Sequence, residues 1–116
     1  MKLNVKHTIV KVNEKDLEIE DDKFELSIKV LTYKENLEIM DEFDIKSEKT
    51  SEQELMDYAK SIFVNTVISW KGIEDGEGKD LECNNKNKAA IFDFNPAFAE
   101  KVISNASKKV TDTKKK

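Results

Sequence analysis

A single cysteine, Cys83, excludes an intramolecular disulfide framework and, with it, a paired-cysteine zinc site. The only histidine, His7, stands in a strand-like stretch with no serine, cysteine or carboxylate convincingly placed beside it, so general acid–base chemistry has no visible partner set. No apolar run approaches membrane-spanning length, and residues 1–7 are too polar and too alternating for a secretory leader; a soluble cytoplasmic protein is expected. Glycine occurs three times, as Gly72, Gly76 and Gly78, all just beyond the only tryptophan, Trp70. Their Gly-x-x-x-Gly-x-Gly order has no Lys-Ser or Lys-Thr after it and has acidic neighbours that repel phosphate, so it is not a phosphate loop. The acidic run from Glu74 to Asp80 lacks the alternating ligands and distal Glu of a calcium loop and contains Lys79, which reads as a solvated turn. No metal or other cofactor and no enzymatic activity are expected.

The 116 residues suffice for one domain with a real core, and a formal net charge of −4 argues against general binding to nucleic acid or an anionic membrane. The concentrated basic patch is C-terminal: Lys108, Lys109 and Lys114 to Lys116. A single domain over 1–110 with a disordered Lys-rich tail over 111–116 is expected.

Residues 3–30 read as two or three antiparallel β-strands. Leu3, Val5 and Ile9 share a face, with Val10 and Val12 shifting the alternation, and Leu17–Ile19 forms a short second run before the turn-like Asp21-Asp22. Phe24, Leu26, Ile28 and Val30 then alternate cleanly with Lys23, Glu25, Ser27 and Lys29, which puts the apolar side chains on one face. Thr32-x-x-Glu35 is a capping box opening a helix with Tyr33, Leu37 and Met40, and Ile39 or Phe43, as its buried face. A polar connection over 46–50 leads to a second box at Ser51–Glu54. From there Leu55, Tyr58, Ala59, Ile62, Phe63, Thr66, Val67 and Trp70 recur at helical spacing, predicting one long central helix that ends at Trp70, where the glycines stop it. Asn84 is placed to cap a short helix carrying Ala89 to Phe92, and Asn95-Pro96 starts a last one lined by Phe98, Val102, Ile103 and Ala106. The fold class is therefore α+β, with N-terminal strands followed by about four helices. Trp70, Ile73, Phe92, Phe94 and Phe98 form an aromatic-rich set that either closes the core or stays partly exposed as a partner-binding patch.

The pattern Val67-x-x-Trp70-x-Gly72-Ile73-x-Asp75-x-x-Gly78, then Leu81-x-Cys83, Asn85-x-Asn87-Lys88-x-x-Ile91-Phe92 and Pro96-x-Phe98-Ala99-x-x-Val102, resembles the C-terminal part of small siphophage and prophage tail assembly chaperones. The segment Phe24-x-Leu26-x-Ile28-x-Val30-Leu31-Thr32-Tyr33-x-Glu35 is similar to their strand-to-helix opening, and the matching pieces cover about two thirds of the chain. The resemblance implies a non-enzymatic protein of the host bacterial cytoplasm that binds tape measure and tail tube proteins during tail assembly, with self-association along the tape measure. It also implies a longer product made by ribosomal frameshifting, for which an A-rich codon run at Lys114 to Lys116 is suited. A second reading is a phage-encoded acidic inhibitor that occupies a basic groove on a host defence protein, such as a CRISPR nuclease, or on a transcription protein; salt-sensitive binding to a basic target distinguishes it.

Overall fold

The computed structural model describes residues 1, 6–20, 22–43 and 51–114, with side chains as far as Val110. The expected strand residues Leu3 and Val5, the turn residue Asp21, the connection over 46–50 and the terminal Lys115 and Lys116 lie outside the described residues.

The alternating run after Phe24 forms the middle strand of the sheet. β1 (Ile9–Asn13), β2 (Glu25–Lys29) and β3 (Val67–Lys71) lie in the order β1-β2-β3, each pair antiparallel. Val10 and Val12 face Ile28 and Leu26 across the first pair, so the inner face of the sheet is aliphatic. Lys11 and Glu25, 3.6 Å apart, belong to the outer face with Ser27 and Lys29. The helices α1 (Tyr33–Glu42), α2 (Glu52–Thr66), α3 (Asn85–Phe94) and α4 (Pro96–Lys114) complete an α+β fold. Phe63, Leu26, Val12, Val67 and Val102 are fully buried between sheet and helices. Burying such side chains stabilises by roughly 1.5–3 kcal/mol each, more than any cap contributes. Among the described residues no helix is long and apolar enough to cross a membrane.

Three caps form where the sequence places them: Thr32, Ser51 and Asn84 accept from the backbone N–H of Glu35, Glu54 and Asn87. The central helix, however, ends at Thr66, and Trp70 lies in β3. The Thr66 hydroxyl donates back to the Ile62 carbonyl at 2.7 Å, a bond that competes with the helical ladder, and β-branched Val67 and Ile68 follow. β3 then finds its hydrogen-bonding partner in β2. Ser69 pairs with Ser27 and Val67 with Ile28, leaving Ile68 as an extra, bulged residue. The bulge turns Val67 and Trp70 to the same side although they are three apart, the spacing that also marks a helix face.

The other differences are local. Leu17 to Glu18 belong to a turn and not to a strand: Asn13 Oδ1 accepts from the N–H of Lys15 and Asp16, and Glu18 takes a φ of 58°. On α1 the buried residue is Ile39, while Tyr33 and Leu37 are exposed and Met40 is half-buried, because α1 meets the body through its Asn36–Ile39 side. Ile9 faces outward and Val10 inward. Gly72 ends a strand and not a helix; its φ is 78°, and a Cβ there would stand 2.2 Å from the Lys23 carbonyl oxygen. The backbone of α4 stays helical to Lys114, beyond the last apolar position at Val110.

Candidate functional site

The five aromatic-set residues separate into different surroundings. Phe92 is buried in the core, and Trp70, Ile73 and Phe98 are partly buried against it. Phe98 packs edge-on to Phe24 with ring centroids 5.7 Å apart. The Trp70 indole N–H donates to the Leu81 carbonyl at 2.7 Å and fastens the loop that follows β3 to the strand. That loop is closed from within. Leu81 N–H bonds to the Ile73 carbonyl at 2.9 Å, and Asp75 Oδ1 accepts from the N–H of Glu77 and Lys79. Asp75 is thus engaged by its own turn, as the solvated-turn reading expects. Phe94, at the α3–α4 junction, is 91% exposed and alone of the five stands clear of the core.

His7, against the expectation that no carboxylate stands beside it, meets Glu35, 28 positions on in the chain: its Nε2 lies 2.7 Å from Glu35 Oε1, with Lys29 Nζ 3.5 Å from the other oxygen. Glu35 Oε1 also accepts the Thr32 N–H at 2.9 Å, and that bond, aided by the one to His7, holds the carboxyl down at about 2. The cluster ties the start of α1 to β2 and to the N-terminal segment. Burial pushes the Cys83 thiol upward, and its Sγ lies 3.7 Å from the Ile68 carbonyl, so the sulfur is held as a neutral packing group. Among the described residues no three His, Cys, Asp or Glu side chains converge to hold a metal ion.

A concave feature lies elsewhere. A cleft of about 650 Å³ opens between α2 and α4, with Ile28 and Val30 as its floor and Phe92 at its base. Tyr58, Ala59, Ile62 and Thr66 form one wall, and Ala99, Ile103, Ala106 and Val110 the other. Its polar lining is Thr32, Tyr33, Asn36, Ser104 and Ser107, with two charged residues, Lys29 and Glu100. The Tyr58 hydroxyl donates to Asn36 Oδ1 at 3.0 Å, joining α2 to α1 at the mouth. The volume falls in the range of ligand sites, and the lining is apolar with few oriented polar groups.

Of the aromatic set only Phe92 borders this cleft. Sequence periodicity counts the cleft-lining residues as core, since they share helix faces with Phe63 and Val102. The available signal was the small side chain at Ala59, Ala99 and Ala106, which leaves space where Leu or Phe would fill it. Comparisons with protein-family models, with curated proteins and with solved structures found no match.

Proposed function

We propose that this chain is a non-enzymatic binding protein whose α2–α4 cleft receives one apolar face of a helix from a protein partner. The observation that carries this reading is the cleft itself, an open apolar trough between two helices whose polar lining is mainly hydroxyl and amide, with Lys29 and Glu100 as its two charged residues. An amphipathic helix lays its apolar face into such a trough and leaves its polar face in water. Few charges line the groove, so affinity comes from apolar burial and depends weakly on salt. The resemblance to tail assembly chaperones supplies the partner: a tape measure protein, whose helices expose apolar faces until tail tube subunits enclose them. His7 and Glu35, 2.7 Å apart, tie the start of α1 to the N-terminal segment and do not line the cleft.

The test is capture of tape measure segments from the neighbouring gene by the tagged protein, washed at low and at high salt, beside the rim variant Ser104→Trp. Ser104 is exposed, so the indole fills the mouth without entering the core. Retention by the native chain at high salt and loss in Ser104→Trp is the expected result. Binding only to a basic host protein, lost as salt rises and indifferent to Ser104→Trp, overturns the proposal in favour of the acidic inhibitor.

A further inference from the structure

Helix α1 stands apart from the core that the other elements share. Every strand and each of α2, α3 and α4 contributes a buried residue to that core, and no α1 residue belongs to it. On α1 Ile39 alone is buried, and the main packing partner of the helix is α2. A helix of 10 residues is marginal in water by itself, so α1 keeps its shape by staying docked. The Tyr58 hydroxyl, donating to Asn36 Oδ1, bridges α2 and α1 at this contact. The same stretch of α1 forms part of the cleft mouth, where Tyr33 and Asn36 line the opening and Tyr33 is 80% exposed. Just upstream the chain is fixed: the Val30 N–H donates to the Thr8 carbonyl at 2.8 Å. Leu31 and Thr32 are the two residues between that anchor and the start of α1. The bonds of Glu35 to Thr32, His7 and Lys29 gather in the first turn, beside this pivot. Beyond them, undocking has to break the contacts of Asn36, Ile39 and half-buried Met40.

We propose that α1 is a lid on the α2–α4 cleft: it swings away from α2 about Leu31 and Thr32, the Tyr58–Asn36 bond is its latch, and the cleft is entered while α1 is undocked. The walls of the cleft stay in place as the lid opens, because Phe63 of α2 and Val102 of α4 remain packed in the core. Opening draws Tyr33 and Asn36 off the mouth. The apparent affinity for whatever enters then scales with the fraction of molecules whose lid is open, so the latch sets it from outside the apolar walls. This role rests on the cleft being the binding site proposed above, whereas the motion of α1 is measured without any ligand.

Amide hydrogen exchange of the full chain, at urea concentrations below the unfolding transition, tests the motion. The α1 amides from Leu37 to Glu42 are expected to be about tenfold or more less protected than those of Phe63 and Val102. Urea is expected to change them little, since undocking exposes little surface, and to lower the protection of the core amides steeply. Tyr58→Phe keeps the ring and removes the latch, and is expected to lower α1 protection about fivefold. Asn36→Ala removes the acceptor of the same bond, so the double variant is expected to lose less than the sum of the two. Entry is read with the apolar fluorophore anilinonaphthalene sulfonate, which Tyr58→Phe is expected to bind about fivefold more tightly than the native chain. Ser104→Trp, added to Tyr58→Phe, is expected to abolish that gain. Amides of α1 as protected and as urea-dependent as those of the core, or additive losses in the double variant, overturn the lid. Dye bound equally by the native chain and Tyr58→Phe overturns the gating alone. Exchange as expected with no dye bound by either chain overturns the cleft as a binding site, and the gating with it.

Discussion

Alanine substitution at each of the three glycines separates two costs that are usually entangled, conformational strain and steric exclusion. At Gly72 both apply. Its φ of 78° costs an L-residue about 1–2 kcal/mol. A Cβ at 2.2 Å from the Lys23 oxygen and 3.0 Å from Phe24 Cα meets backbone and not a flexible side chain. Relief requires moving the segment that leads into β2, where Phe24 is buried, and a rearrangement of that kind costs about 1–3 kcal/mol more. Gly72→Ala is therefore expected to destabilise by about 3 kcal/mol in total, a large fraction of the roughly 5–15 kcal/mol that holds a domain together. Gly78 has a φ of 82° but open space around it, so Gly78→Ala costs only the strain of about 1–2 kcal/mol. Gly76 has neither feature, and Gly76→Ala is expected within about 0.5 kcal/mol of the native chain. Urea unfolding followed by the fluorescence of Trp70 measures all three. A Gly72→Ala variant no less stable than Gly78→Ala refutes the steric argument, since the Lys23–Phe24 backbone would then yield freely.

Lys88, only 9% exposed, donates to the Val64 carbonyl at 3.3 Å, in the last turn of α2, which has no basic residue of its own. Lys88→Met keeps the packing stem but loses the bond and the favourable charge at a helix C-terminus; a loss of about 1–2 kcal/mol in urea unfolding is expected, and an unchanged midpoint refutes the role. Trp70→Phe leaves the Leu81 carbonyl without its indole donor and is expected to cost about 1 kcal/mol by circular dichroism, with faster amide exchange at Leu81 as the local signature. For Glu35, the folded carboxyl titrates at about 2 against an ordinary value of 4.5, so the unfolded chain binds the proton first as pH falls. The Glu35 contribution is complete above that ordinary value and is lost progressively down to about pH 2. Glu35→Gln is expected to remove this part of the acid dependence, and identical acid-unfolding profiles for the two chains would falsify it.

The caps were legible because capping is local: an oxygen and the N–H it accepts lie three residues apart, as at Thr32, Ser51 and Asn84. So was β2, whose alternation from Phe24 to Ile28 admits one face only. The junction at Thr66 was not, because the residue that decides it lies outside the window. Phe63, Val67 and Trp70 satisfy helical spacing, and a bulged strand imitates that spacing when Ile68 is left over. Only the pairing of Ser69 with Ser27, forty-two positions earlier, distinguishes the two. On α1 the apolar positions were recognised, but which of them meets the body depends on how the helix is docked, and Ile39 displaced Tyr33 and Leu37. The cleft was least legible. It is made by what Ala59, Ala99 and Ala106 lack, and sequence patterns register side chains, not the spaces between them.

The last helix is stitched to the first strand. Lys109 Nζ donates to the Lys11 carbonyl and, at 2.7 Å, to Asp16 Oδ2, while Asp16 in turn accepts the Asn13 N–H at 2.8 Å. These bonds seal backbone groups on the outer edge of β1, where another strand could otherwise pair. Their timing follows from the 98 positions between Lys11 and Lys109. During synthesis β1 and β2 can pair as a hairpin, but β3 must await two helices, and the seal on β1 must await nearly the whole of α4. Until then a growing chain carries two open sheet edges, so the slow and aggregation-prone interval of its folding lasts until α4 has been made.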